Sequence, residues 1–182
     1  MKIIAKANER TEFFKETLFL IGRGNCKMRA VVQRVKSASV SISDQIVGKC
    51  EIGALILVCA MKNDTVSQVE KLANKIAKIR IYKDEKHKMN YSLMDVNGSA
   101  LVVSQFTLAA DLKRGNRPGF SEAAEPEKAK HLYNHFVSCL KQYGISTQTG
   151  EFGSAMAVKL INDGPVAIIP RHRSILEIGA LT

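Results

Sequence analysis

From Ser37 to Ser43 every second residue is a serine, and the residues between them are Ala38, Val40 and Ile42. A period of two places alternate residues on opposite faces of a β-strand, one dry and one wet, and no helix sorts them that way. The strand reads back through "MRAVVQRV" to Met28, a turn bracketed by Asp44 and Gly48 follows it, and Ala54 to Ala60 reads as a short buried strand. The period then changes. Val66, Val69, Leu72, Ala73 and Ile76 form one stripe of a helix running to about Lys78, with Asp64 as its expected cap. "SLMDV", Asn97-Gly98 and "SALVVSQFTL" read as a β-hairpin, because Asn-Gly supplies the positive φ values of a type I′ turn. Pro126 suits the first turn of a second helix that turns Leu132, Tyr133, Phe136, Val137 and Leu140 inward and stops at Gly144. Met156 to Ile161 is the last clear strand; the Asn162-Asp163-Gly164-Pro165 that follows reads as a turn. Strands of this kind with two substantial helices predict an α/β or α+β domain.

A chain of 182 residues suits one domain with a real core. Residues 1–27 look unlike the rest, so the fold is expected to start at Met28, with the leader as an extension. Cys26, Cys50, Cys59 and Cys139 show no CxxC and no zinc-like spacing, which suits reduced thiols in the cytoplasm. With no apolar run near the ~20 residues of a membrane span, a soluble protein is expected. Neither GxxxxGK nor GxGxxG occurs, which counts against nucleotide cofactors, and no cofactor is expected. The formal net charge of +10 points instead to a polyanionic partner, since each phosphate neutralised releases counterions and adds affinity.

His131 and His135 stand four apart on the second helix, a spacing that can serve a metal, but no glutamate follows the first and no third ligand is apparent. They read as solvated histidines. Nothing selects a partner for His87 or His172, and no Ser-His-Asp or Cys-His set can be chosen. More informative is "SQFTLAAD" at 104–111, which puts Ser104, Gln105 and Thr107 where the apolar Ala100-Leu101-Val102-Val103 ends. Directly after it, "DLKRGNRPGF" sets Lys113, Arg114 and Arg117 among glycines and a proline; this is either a phosphate-gripping loop or a solvated turn.

Taken together, "MRAVVQRV" at 28–35, "KMN" at 88–90, "LVVSQFTLAAD" at 101–111, "RGNRPGF" at 114–120, "TQTGEFG" at 147–153 and "NDGPV" at 162–166 resemble the D-aminoacyl-tRNA deacylases of the bacterial and eukaryotic (DTD) type. The resemblance spans residues 28–166. It implies a DTD-like fold of mixed, barrel-like β-sheet with two main helices. It also implies a homodimer with two sites, each built from the SQFTL segment of one subunit and the Gly-Pro dipeptide of the other. Gly164-Pro165 would then be a cis bond pushed into the partner's pocket and held by Arg34. By the same resemblance, backbone amides of Phe106 and Thr107 stabilise the oxyanion formed as an aminoacyl ester to tRNA is hydrolysed. Ser104 and Gln105 position the substrate, and the terminal adenosine's 2′-hydroxyl assists the attacking water. Gly164 and Pro165 carbonyls facing the α-carbon would exclude an L side chain and admit a D side chain or glycine. D-aminoacyl-tRNA and mischarged glycyl-tRNA are the implied substrates, gripped through Lys113, Arg114 and Arg117.

The chain departs from that pattern after Val166. Alanine stands at 167 where members usually carry threonine, and "AIIPRHRSILEIGALT" replaces the usual short apolar last strand, so 167–182 is expected to be a divergent tail with Pro170 interrupting strand pairing. The departure motivates a second reading, a nucleic-acid-binding relative that kept the fold and lost hydrolysis. A third is a hydrolase of some other small ester.

Overall fold

The computed structural model describes residues 28–170. Its organising element is a long strand, β1 (Arg29–Ile42), which pairs antiparallel on one side with β3 (Gly53–Cys59) through its first half and with β2 (Gln45–Cys50) through its second. On its other side runs β8 (Ala157–Ile168), also antiparallel. The sheet continues through β6 (Ser99–Ser104) and β7 (Ser146–Thr149), both parallel to β3, in the order β2-β1-β3-β6-β7. Two helices, α1 (Val66–Ala77) and α2 (Pro126–Gln142), and a small hairpin of β4 (Tyr82–Lys83) and β5 (Met89–Tyr91) complete it.

Alternation in the strands builds two cores. Ala30, Val32, Ile56, Val58, Ala100 and Val102 meet the helices through Val69, Leu72, Ile76, Leu132, Phe136 and Leu140. Val35, Ala38, Val40, Cys50, Leu55, Leu101 and Val103 fill the inside of a sheet that curls nearly closed. Closure brings β2 against β7, where Lys49 N–H donates to Gln148 Oε1 at 2.9 Å and a Cβ on Gly48 would lie 2.4 Å from Thr149 O. Only glycine permits that approach. The alternating serines 37, 39 and 41 are half-buried, on the face opposite Ala38 and Val40.

Three expectations are corrected. The Asn97-Gly98 hairpin does not form: residues 93–97 are a turn, and β6 pairs with β3 and β7 instead. Asn97 does adopt a positive φ of 48°, so the dipeptide marks a turn without choosing the strand's partner. Ala100 to Val103 are all buried, as a central strand of a parallel array requires, and that continuous burial decides the pairing. Asp64 is not the cap of α1. Thr65 occupies that position in a capping box with Gln68, while the Asp64 carboxylate turns inward and accepts the N–H groups of Met28 at 2.8 Å and Met61 at 2.6 Å. Finally, the last strand runs on past Ile161 to Ile168, with the expected turn embedded in it. Among the described residues no helix is long and apolar enough to cross a membrane.

Candidate active site

The parallel strands β3 and β6 end together, Val58 opposite Ser104, and the chain turns out of the sheet there. Gln105 N–H donates to Val58 O at 2.7 Å, and Phe106–Ala109 then form one turn of 3₁₀ helix. Of SQFTL, then, Ser104 alone belongs to the strand. Gln105 Nε2 donates to Thr107 Oγ1 at 2.6 Å, and Arg29 Nη1 donates to Leu108 O at 2.7 Å, clamping the turn from β1. The first N–H groups of any helix have no acceptor within it. Accordingly, none of the hydrogen bonds among the described residues uses the amides of Phe106 or Thr107, and both residues are exposed. The Phe106 ring stands edge-on to Phe120 with centroids 5.0 Å apart. The turn therefore offers two adjacent donors on a shelf fixed at both ends.

Among the described residues, burial holds the thiols of Cys50, Cys59 and Cys139 above their ordinary range. Cys59 Sγ lies 3.6 Å from Phe106 O, but burial pushes its thiol up to about 11, so it stays protonated at neutral pH. Cys50, Cys59 and Cys139 are free and buried; Cys26 lies outside the described residues. His135 Nε2 sits 3.1 Å from Glu70 Oε1 and ties α2 to α1, His131 and His87 are exposed, and His172 lies outside the described residues. No group of three or more metal-ligating side chains occurs among the described residues.

The basic loop opens beside the turn. Asp111 and Gly119 exchange two backbone hydrogen bonds of 2.8 and 2.9 Å, and Asp111 Oδ1 accepts the N–H of Lys113, so Lys113, Arg114 and Arg117 are carried exposed on a closed loop two residues beyond Ala109.

Gly164 and Pro165 lie elsewhere. Gln33 pairs with Ala167 and Val35 with Asn162, so four residues of β8, Asp163 to Val166, stand opposite the single Arg34 and bulge outward. The Gly164-Pro165 peptide is cis, and both residues are exposed. Arg34, buried at 3% exposure, holds the bulge: Nε donates to Asp163 O at 3.1 Å and lies 2.9 Å from Asp163 Oδ2, while Nη1 donates to Ile81 O at the base of the β4–β5 hairpin. In register the bulge sits at Arg34, whereas Ser104 sits at the level of Ala30 and three strands away. That is roughly 13 Å along the strands and about 14 Å across them. One chain thus joins Ser104, Gln105, Phe106 and Thr107 to the loop of Lys113, Arg114 and Arg117, joins Gly164 and Pro165 to Arg34, and keeps the two groups apart. Arg29, which clamps the turn, and Ile81, which shares Arg34, went unread in the sequence. Arg29 lay inside the quoted "MRAVVQRV", but its acceptor is 79 residues away and has no local signal.

Comparison with known proteins decides the family. A family model described as D-Tyr-tRNA(Tyr) deacylase matches residues 31–171. The chain belongs to this family. It is 57% identical over 141 residues to the D-aminoacyl-tRNA deacylase of Jannaschia sp. (strain CCS1), covering 78% of this chain and 96% of the relative. It is 54% identical over 143 residues to that of Thermosipho melanesiensis, covering 78% and 95%. Among solved structures, the c-Myc DNA unwinding element binding protein matches with a TM-score of 0.75 at 35% identity, over 80% of this chain and 99% of that one. A probable eukaryotic D-amino acid tRNA deacylase matches with a TM-score of 0.68 at 14% identity, over 78% and 97%, a likeness of fold. In this D-aminoacyl-tRNA deacylase relative, the matched span includes both the SQFTL turn and the Gly-Pro bulge.

Proposed function

We propose that this protein hydrolyses the ester between a D-amino acid, or mischarged glycine, and the 3′-terminal adenosine of tRNA, as a homodimer acting in the cytoplasm. The observation that carries the reading is the pair of unengaged amides on Phe106 and Thr107, on a turn pinned by Val58 and Arg29. Water adds to the ester carbonyl, the carbonyl oxygen becomes an oxyanion between those two amides, and the bond to the ribose 3′-oxygen breaks as that oxygen takes a proton relayed through the 2′-hydroxyl. A preorganised donor of this kind is worth about 10²–10³ in rate. Ser104 and Gln105 position the ester, and Lys113, Arg114 and Arg117 hold phosphates.

The shelf in one chain is open, and its own Gly164-Pro165 is too far away to cover it. A second copy inserting that bulge would close both sites by two-fold symmetry, set carbonyls against an L side chain, and exclude water. The competing reading, a nucleic-acid binder without hydrolysis, draws on Ala167 and on the solved DNA-unwinding-element-binding relative. Ala167 is exposed and still pairs with Gln33, which supports a β8 intact without the hydroxyl.

Matched D-Tyr-tRNA and L-Tyr-tRNA test the reading. Release from the D substrate alone is expected; binding without release from either would establish the competing one. A mixture of two inactive variants, one blocked at the SQFTL turn and one at Gly164, tests the shared site. Random exchange gives half heterodimers, each with one wholly native site, so about a quarter of native turnover should return. A site contained in one chain would return none.

A further inference from the structure

Nineteen Lys and Arg stand against thirteen Asp and Glu over residues 28–170, a net of +6. Residues 71–88 hold seven of those cations and two of the acids, a net of +5, so nearly all the excess charge of the described fold comes from one stretch outside the SQFTL loop. Lys71, Lys75 and Lys78 stand four and three apart and exposed along α1 and its C-terminal cap, a spacing that sets them on one side of the helix. Lys83, Lys86 and Lys88 are exposed on the β4–β5 hairpin that follows.

The two acids form no ion pair with these lysines among the described residues. Asp84 spends its carboxylate on the hairpin itself: Oδ1 accepts the N–H groups of Lys86 and Lys88, each at 2.9 Å, and Oδ2 accepts Asn90 Nδ2 at 2.5 Å. Glu85 Oε1 accepts the Tyr91 hydroxyl at 2.5 Å. Arg80 completes the brace by donating to Asn90 O at 2.6 Å. Lys83, Lys86 and Lys88 are therefore presented on a braced hairpin, and none of the six lysines forms a salt bridge among the described residues. The support also joins the substrate gate, because Ile81 O and Asp163 share the Arg34 guanidinium.

We propose that Lys71, Lys75, Lys78, Lys83, Lys86 and Lys88 form one cationic track that grips the phosphate backbone of a double-stranded RNA stem. Resting on the deacylase reading, this stem is that of the tRNA whose 3′ end enters the site. Lysine acts on phosphate as a point charge and reads no sequence. Single strands are held by several exposed aromatic stacking platforms, whereas this stretch exposes only the His87 imidazole, Tyr82 being buried and Tyr91 half-buried with its hydroxyl engaged by Glu85. A-form duplexes are instead gripped through phosphates and 2′-hydroxyls.

Fluorescence anisotropy of an unacylated acceptor-stem hairpin RNA ending in CCA, titrated with full-length protein at several salt concentrations, tests the track. Neutralising three lysines together, as Lys83→Gln/Lys86→Gln/Lys88→Gln or Lys71→Gln/Lys75→Gln/Lys78→Gln, should flatten the slope of log K against log salt by about 2–3, at ~0.9 per phosphate on a duplex. Arginine at the same positions should restore it. All six are exposed, so the variants should fold, which thermal melts would check. Unchanged slopes in both triple variants would overturn the proposal, as would equal losses on an unpaired RNA of the same length. Wild-type hydrolysis of D-Tyr-tRNA, run alongside, reports on the activity itself, so track and activity fail separately.

Discussion

Arg34 is the residue that holds the Gly-Pro bulge. Its guanidinium is buried, yet each contact is to an oxygen: the carbonyls of Ile81 and Asp163, and the half-exposed Asp163 carboxylate. Removing it strands buried acceptors, so Arg34→Leu should cost about 2–3 kcal/mol in chemical denaturation and lower turnover of D-Tyr-tRNA as well. Beside it, the Tyr82 hydroxyl is buried with no hydrogen-bond partner among the described residues, and burial holds its phenol above the usual range. Deleting an unsatisfied hydroxyl removes a penalty, so Tyr82→Phe should leave stability unchanged or raise it by up to ~1 kcal/mol; a clear loss would show that the assembled protein engages the hydroxyl. Gly164 has φ +125°, and a Cβ there would lie 2.8 Å from Arg34 Nη2 and 2.9 Å from Val166 Cγ2. Gly164→Ala should therefore displace the bulge and, on the proposed function, cut turnover by about 100-fold, while Thr107→Ala, which keeps the backbone amide, should cost far less. Equal collapse of both would contradict oxyanion stabilisation by the backbone.

At the scale of elements, the amphipathic helices were legible because a helix that covers one sheet face needs a single apolar stripe, and both stripes are buried where the periodicity placed them except at Val66, the first residue of α1, which is exposed. The hairpin at Asn97-Gly98 was misread because a turn signal is local while strand pairing is not. The β4–β5 hairpin shows the opposite case: "KDEKHKMN" has no strong period, and its order comes from the Asp84 carboxylate gathering its own loop. Hydrogen bonds from Asn90 and from the Lys88 and Lys86 amides hold the Asp84 carboxyl below its usual range. A depressed folded-state value means that this contribution is present above the ordinary aspartate range and is lost as pH falls through the folded value. The Asn90 side-chain amide resonance should accordingly titrate with a midpoint below ~3.9, and a midpoint at or above it would show that the brace is absent in solution.

For the whole molecule, the decisive feature is the distance between the two motifs within one chain, which makes the proposed site a property of two copies. Met28 carries a prediction too. Met28 N–H donates to Asp64 Oδ1, and burial raises the Asp64 carboxyl above its usual range. A protein beginning at Met28 would place an α-ammonium there and turn a neutral donor into a charged one facing a carboxylate. It should melt at least as high as the full chain and keep its turnover; a large fall in either would show that residues 1–27 support the fold.

By itself the sequence determined the periods of the strands and helices, the cationic balance and, by resemblance, the SQFTL and Gly-Pro motifs, because each is written in neighbouring residues. Tertiary structure alone decided that β6 lies between parallel partners, that Arg29 and Arg34 reach acceptors 79 and 129 residues away, and that Ile81 at the base of the β4–β5 hairpin shares Arg34 with the Gly-Pro bulge. Those contacts come from packing the two faces of one curled sheet, and packing joins residues that sequence spacing does not.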